Sequence, residues 1–263
     1  MLATSLSNHI ASFYIKNERA KFTLLFSHGN AEDLGMVYDW FREVSRRLQV
    51  SVMAYDYTGY GISAGEPSEE ACIADIEAAF AYLVDVKKTP PHLILLYLDH
   101  LHLRYGRSLG TGPTTYLAAK QSKLKNPVAG VILQSPLLSI YRVAFQFRFS
   151  LPGDMFCNID RAPLIESPIT IIHGTRDEVI PFWHGEELFL ACNPAWRSKP
   201  LWVQDAGHNN IEVFLSTIGD GFFGHLVNFV QLCNEVANLR LADAIEKDIP
   251  HPQVQPIVAS TVL

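Results

Sequence analysis

An α/β domain with a mostly parallel sheet and helices on both faces is what this 263-residue sequence predicts. Three observations carry that expectation. Short apolar runs alternate with segments whose apolar residues recur at helical spacing, the pattern of strand–helix–strand units. Several of those runs are almost continuously apolar, as strands buried on both faces must be. The short polar motifs each follow an apolar run, and in parallel sheets chemistry gathers beyond the carboxyl ends of the strands.

In chain order, His9 to Ile15 and Lys21 to Phe26 read as strands, the second running into Ser27-His-Gly-Asn30. Val37, Trp40, Phe41, Val44 and Leu48 mark a helix. Val50 to Tyr55 is a strand ending in Asp56, and Ile73, Ile76, Phe80 and Leu83 mark the next helix face. Leu93 to Tyr97 is a strand, and Gly112 through Lys120 continue as a helix after the turn that contains Ser108. Val128–Leu133, Ile169–Ile172 and Leu201–Val203 complete the strands, and Val213 through Val236 is helical with a break around residues 219–224. Residues 1–240 read as a single domain with a small lid around 137–168, where Val143, Phe145, Phe147, Phe149 and Phe156 either line the lid or pack as core. Residues 241–263, with Pro250, Pro252 and Pro256, read as a poorly ordered tail.

Composition excludes several classes. With 48% hydrophobic residues a sizeable core is available and global disorder is excluded. A formal charge of -6 argues against a nucleic-acid partner. Cys72, Cys157, Cys192 and Cys233 are scattered without metal-ligand spacing, which fits a reducing compartment better than a disulfide scaffold. No run reaches the roughly 18 apolar residues of a membrane span, and the first residues lack the basic and apolar regions of a signal peptide.

The chemistry centres on Gly106-Arg-Ser108-Leu-Gly110, a Gly-x-Ser-x-Gly turn between a strand and a helix, as in the α/β-hydrolase fold. A serine hydroxyl is a weak nucleophile and needs a histidine to take its proton and an acid to orient that histidine. Asp177 and then His208 follow Ser108 in the required order, each just after an apolar run. Glu178 is a rival acid. His28, His173 and His184 read as loop histidines near the same edge with structural roles. The oxyanion formed in acyl transfer needs two backbone N–H donors. Leu109 supplies one, and Asn30 or Ala31 the other. Asp56 reads as a structural acid that orders its loop. No cofactor and no metal is called for.

Ser27-His-Gly-Asn-Ala-Glu-Asp-Leu-Gly35, Tyr55-Asp-Tyr-Thr-Gly-Tyr-Gly61, Gly65-Glu-Pro-Ser68, Gly106-Arg-Ser-Leu-Gly-Thr-Gly-Pro113, His173-Gly-Thr-Arg-Asp-Glu-Val-Ile180 and Gly207-His-Asn-Asn-Ile-Glu212 together resemble the α/β-hydrolase-domain-containing protein 17 family. The resemblance spans roughly residues 8–214. It implies a serine hydrolase that removes palmitate from S-palmitoylated cysteines of membrane-bound proteins, with Ser108, Asp177 and His208 as its triad. Three departures stand out. The cysteine-rich, palmitoylated start that anchors family members on plasma and endosomal membranes has no counterpart, since the first cysteine is Cys72, so a cytoplasmic monomer is expected. The N-terminal strand of the domain is missing. Leu98-Asp-His-Leu-His-Leu-Arg-Tyr105 intervenes between Tyr97 and Gly106, where the family runs directly from strand to turn. Together these read as a shortened or alternatively spliced form, or an imperfect gene model.

Eight extended residues span up to about 26 Å. Leu93-x-Leu-x-Tyr97 and Leu101-x-Leu-x-Tyr105 echo each other, and a slip of eight keeps every side chain on its face. Either copy fits the central strand; the second would bury His102 and Arg104, so the first is the better strand. Three readings follow: an acyl-thioester hydrolase, a carboxylesterase or lipase on small esters or lipids, and an inactive variant whose triad the insertion 98–105 displaces.

Overall fold

The computed structural model describes residues 1–30, 32–98, 109–145, 148, 151–217 and 221–248. The chain opens with a two-stranded antiparallel ladder of β1 (Leu2–Ala3) and β2 (His9–Ile10), followed by β3 (Ser12–Ile15). His9 to Ile15 is therefore not one strand. The break falls at Ala11, whose N–H donates to Ser63 Oγ at 2.9 Å instead of to a ladder partner.

Then come β4 (Thr23–Ser27), α1 (Leu34–Leu48), β5 (Ser51–Tyr55) and α2 (Glu69–Ala81). Next are β6 (Ile94–Leu98), α3 (Thr111–Lys123), β7 (Gly130–Gln134), α4 (Ile140–Phe145) and α5 (Asn158–Arg161). The last elements are β8 (Ile169–Gly174), α6 (Trp183–Ala191), β9 (Leu201–Val203), α7 (Ile211–Thr217) and α8 (Gly221–Asp248). The seven-stranded sheet has the order β3-β5-β4-β6-β7-β8-β9, antiparallel only at β3–β5.

Strand β6 holds the centre, between β4 and β7, with Leu96 opposite Leu25 and Val131. Its side chains alternate between the two cores. Ile94 and Leu96 join one with α2 and α3, and Leu95 and Tyr97 join the other with α1 and α8. The first copy of the echoed motif therefore fills the central strand, and Leu98 pairs as its last residue. The rest of the insertion, residues 99–105, lies outside the described residues.

Helix α1 shows how local sequence fixes an element. Asp33 caps it by accepting from Gly35 N at 2.8 Å. Val37, Phe41, Val44 and Leu48 form the buried face. Gln49 ends it in the left-handed region at φ 52°.

The segment 137–168 is tied down at two points. Glu69 Oε1 on α2 accepts from Phe156 N at 3.0 Å and from Arg161 Nη2 at 2.9 Å. Phe156 packs onto the first turn of α3 where Gly112 leaves room. A Cβ on Gly112 would lie 2.0 Å from the Phe156 ring. Val143 and Phe156 are buried, Phe145 is exposed, and Phe147 and Phe149 fall outside the described residues. Helix α8 continues to Asp248, so the tail read from the sequence begins too early: residues 241–248 are helical. Among the described residues no helix is long and apolar enough to cross a membrane.

Glycine to alanine inside a helix ordinarily stabilises by roughly 0.5–1 kcal/mol. Gly112→Ala is expected to do the reverse, costing about 2 kcal/mol or more in overpacking against Phe156. Thermal denaturation checks this: the loss should shrink in the Gly112→Ala, Phe156→Ala double variant, whose costs then fail to add.

Candidate active site

Three loops follow the carboxyl ends of β4, β8 and β9, and each is fixed by its own hydrogen bonds. After β4, the buried His28 donates from Nδ1 to Gly29 O at 2.7 Å; a carbonyl can only accept, so Nδ1 carries the proton. Tyr57 OH donates to His28 O at 2.9 Å, and Tyr60 OH to Asn30 Oδ1 at 2.5 Å. The Gly29 N–H is spent on Glu32 Oε2 at 2.9 Å. The Asn30 N–H has no acceptor among the described residues. Ala31, the other candidate donor, lies outside them.

Beneath this loop sits Asp56. Its Oδ1 accepts from Leu34 N at 3.0 Å, the first residue of α1, and lies 3.5 Å from His28 Nε2. Burial pushes its carboxyl up to about 7, against the Leu34 bond that holds it down, with Asp33 adding to the rise. His28 moves the other way: burial takes it down to about 4, with the Gly29 bond opposing. Asp56 thus ties its loop to the start of α1, as a structural acid.

After β8, Asp177 turns the chain. Its Oδ1 accepts from Val179 N at 2.9 Å and Ile180 N at 2.8 Å. Its Oδ2 lies 2.7 Å from His208 Nδ1 and 3.2 Å from His173 Nε2. Burial alone would raise this carboxyl; the hydrogen bonds from His173 and His208 outweigh it and hold it well below the usual carboxylate range. The rival Glu178 meets the backbone of His208, accepting from its N–H at 3.1 Å. The β9–α7 loop that carries His208 reaches Asp177 because position 174 is glycine: a Cβ there would lie 2.4 Å from Ala206 O.

The structure therefore brings Asp177 and His208 together, while Asn30 lies on the loop after β4. Leu109 stands in the turn just before α3. Ser108 lies outside the described residues. Two histidines read from sequence as loop residues belong to regular elements, His173 to β8 and His184 to α6. His184 is structural: Nδ1 accepts from Leu138 N at 3.1 Å, and burial, with His173 and Arg142 nearby, pushes it down to about 3. His173 is the residue that sequence reasoning missed as part of the site. Its position at a strand end, four residues before the acid, was the available signal.

Among the described residues no group of three His, Cys, Asp or Glu is arranged to hold a metal ion. A cleft of about 460 Å³ beside β9 and α8, lined in part by Lys199, Leu201, His225 and Phe229, contains none of the residues above.

No protein-family model matches the chain. Among curated proteins it is 43% identical over 217 residues to alpha/beta hydrolase domain-containing protein 17B of Xenopus tropicalis, covering 81% of this chain and 70% of that one. The human 17B protein is 43% identical over 216 residues, with the same coverage. Two solved structures share the fold. Pyrococcus furiosus esterase Pf2001 has a TM-score of 0.65 at 18% identity, covering 88% of this chain and 87% of that one. A monoacylglycerol lipase of Paleococcus ferrophilus has a TM-score of 0.57 at 17% identity, covering 84% and 99%.

Asp56 makes a pH prediction whose sign follows from its shift. Unfolded, the group ionises near 3.8; folded, it keeps its proton to about 7. Its contribution favours the native state at acid pH and is lost as pH rises from about 4 to 7. Asparagine keeps an acceptor for the Leu34 N–H without a charge. Relative to wild type, Asp56→Asn should gain about 2–4 kcal/mol in stability between pH 4.5 and pH 8. Denaturant unfolding of both proteins across that range reads the difference.

Proposed function

Because this chain belongs to the alpha/beta hydrolase domain-containing protein 17 family, we propose that it is a serine hydrolase that cleaves acyl thioesters and removes palmitate from S-palmitoylated cysteines of proteins. The observation that carries this reading is the 2.7 Å contact between Asp177 Oδ2 and His208 Nδ1. It fixes the proton on Nδ1 and leaves Nε2 as the basic nitrogen.

In the proposed reaction His208 Nε2 takes the proton of Ser108 Oγ as the oxygen attacks the thioester carbonyl. The oxyanion is met by the N–H groups of Leu109 and of Asn30 or Ala31. Collapse breaks the C–S bond; the cysteine sulfur leaves with the proton from His208, and the acyl group stays on Ser108. Water, deprotonated by His208, then attacks the acyl-enzyme and releases the fatty acid. Asp177 stays ionised throughout and steadies the imidazolium.

A fluorophosphonate probe tests the nucleophile: wild type should be labelled and Ser108→Ala should not. Fluorogenic thioester and oxoester substrates with the same acyl chain test the class. A larger kcat/KM on the oxoester would move the reading to a carboxylesterase or lipase. Asp177→Asn should lower kcat on the order of 10⁴-fold through the wrong histidine tautomer. Glu178→Gln should fall by no more than about tenfold, since its contact is to backbone. The reverse ranking would make Glu178 the acid.

One observation favours a second reading, an inactive form. The first echoed copy fills β6 and Leu98 closes the strand, so the chain has residues 99–107 to place before Ser108. Deleting Leu98 through Tyr105 joins Tyr97 directly to Gly106. On this reading the deletion raises both probe labelling and thermal stability. A folded deletion variant with equal or lower labelling would reject it.

A further inference from the structure

We infer that His173 is a positioning residue for the Asp177–His208 pair: it donates a second imidazole N–H to the carboxylate oxygen that orients His208. The inference rests on the triad reading above and adds a residue to it.

Geometry fixes the role. His173 is fully buried at the end of β8. Its Nε2 lies 2.9 Å from Ile180 O and 3.2 Å from Asp177 Oδ2. Both are acceptors, so the proton belongs on Nε2, shared between them. Nδ1 has no hydrogen-bond partner among the described residues, and a Cβ on Gly185 would lie 2.3 Å from it. A proton on Nδ1 would be a buried donor pressed against α6 with nothing to receive it, which is costly. His173 therefore carries its shared proton on Nε2, and to the carboxylate it is a donor only.

The consequence reaches His208. Asp177 Oδ2 faces two imidazole nitrogens, at 2.7 and 3.2 Å, and Oδ1 accepts from two backbone N–H groups. Every donor that neutralises part of the carboxylate weakens its pull on a positive charge at His208. His173 thus keeps the carboxylate from binding the imidazolium too tightly, which would leave His208 protonated and unable to act as a base. It also holds Oδ2 in place by a second vector. Beside this pair stand His184 on α6, which feels both Asp177 and Arg142 of α4, and Glu178 at the His208 N–H. His184 is neutral through the working range, so it adds no competing titration there.

The test uses the full chain and three variants. His173→Leu and His173→Asn remove the donor at the Nε2 position, while His173→Gln places an amide N–H close to it. NMR titration of the His208 ring resonances reads the effect directly, whether or not the protein turns over substrate. The midpoint is expected to rise by roughly half a unit to one unit in Leu and Asn, and to stay near wild type in Gln. Where activity is measured, the acid limb of kcat/KM should move up by the same amount, with KM changed less than about twofold. Should the Leu variant fail to fold, Asn against Gln carries the comparison. An unmoved midpoint in a folded donor-less variant overturns the inference, as does a Gln variant that shifts as far as Asn. Asp177→Asn and His208→Ala, run alongside, separate the two levels. If both keep full activity the triad reading itself has failed, and the positioning role goes with it. If both are inactive while the midpoint does not move, only the role of His173 is lost.

Discussion

A carboxylate removed from water must recover from protein donors what it loses in hydration, or it neutralises instead. Asp177 meets that demand with two backbone N–H groups and two imidazole nitrogens, at 2.7 and 3.2 Å, and most of the local architecture follows from how they are delivered. Two come from the backbone of the turn that Asp177 itself begins, which fixes the turn. One comes from the end of β8 and one from the loop beyond β9, so the carboxylate also staples two strand ends together. Gly174 is the steric condition for this arrangement, since a side chain there would keep the histidine loop away.

Asp56 shows the opposite solution to the same problem. It too is buried at a strand end, but its local donor is a single N–H at the start of α1, with the ring of His28 at 3.5 Å. With fewer donors, burial wins and the group holds its proton into the neutral range. Two aspartates at equivalent places on one sheet thus differ in charge because they differ in donor count. The sequence assigns them to different roles only through motif order, while the physical reason lies in the loops around them.

The alternation of strands and helices was legible from the chain, because parallel strands buried on both faces leave long apolar runs: β4, β5, β6, β7 and β8 each fall within two residues of their reading. The break at Ala11 was not legible, since it depends on Ser63, far along the chain. Helix α6 escaped because its apolar residues do not form a clear stripe, its burial coming from His184, Gly185 and Leu188 packed against β8. At the site, chain order and strand ends make Asp177 and His208 the candidates, and the structure places their side chains in contact. The sequence favours Asp177 over Glu178, one residue apart, and in the structure Asp177 meets the His208 ring while Glu178 meets its backbone N–H. His173 escaped for a related reason. It reads from sequence as a loop histidine with a structural role, and only its distance to Oδ2 makes it a neighbour of the acid.

Preorganisation here is modular. The β4 loop is held by Tyr57, Tyr60 and Glu32, the β8 loop by its own aspartate, and the histidine loop by Glu178 and by Asn210, whose Oδ1 accepts from Gly207 N at 2.8 Å. None of these bonds involves the segment between Leu98 and Leu109. Asp177, His208 and Asn30 are thus each held by contacts among the described residues. On the opposite side of it, α3 begins at Thr111 with Gly112 locked beneath Phe156. The segment is thus bounded by two fixed ends, the last residue of β6 and the first turn of α3. Electrostatic preorganisation lowers a barrier only when the nucleophile reaches the prepared site. On the proposed reading, the connection that would deliver Ser108 runs between a central strand whose register is set by pairing on both sides and a helix start set by steric fit.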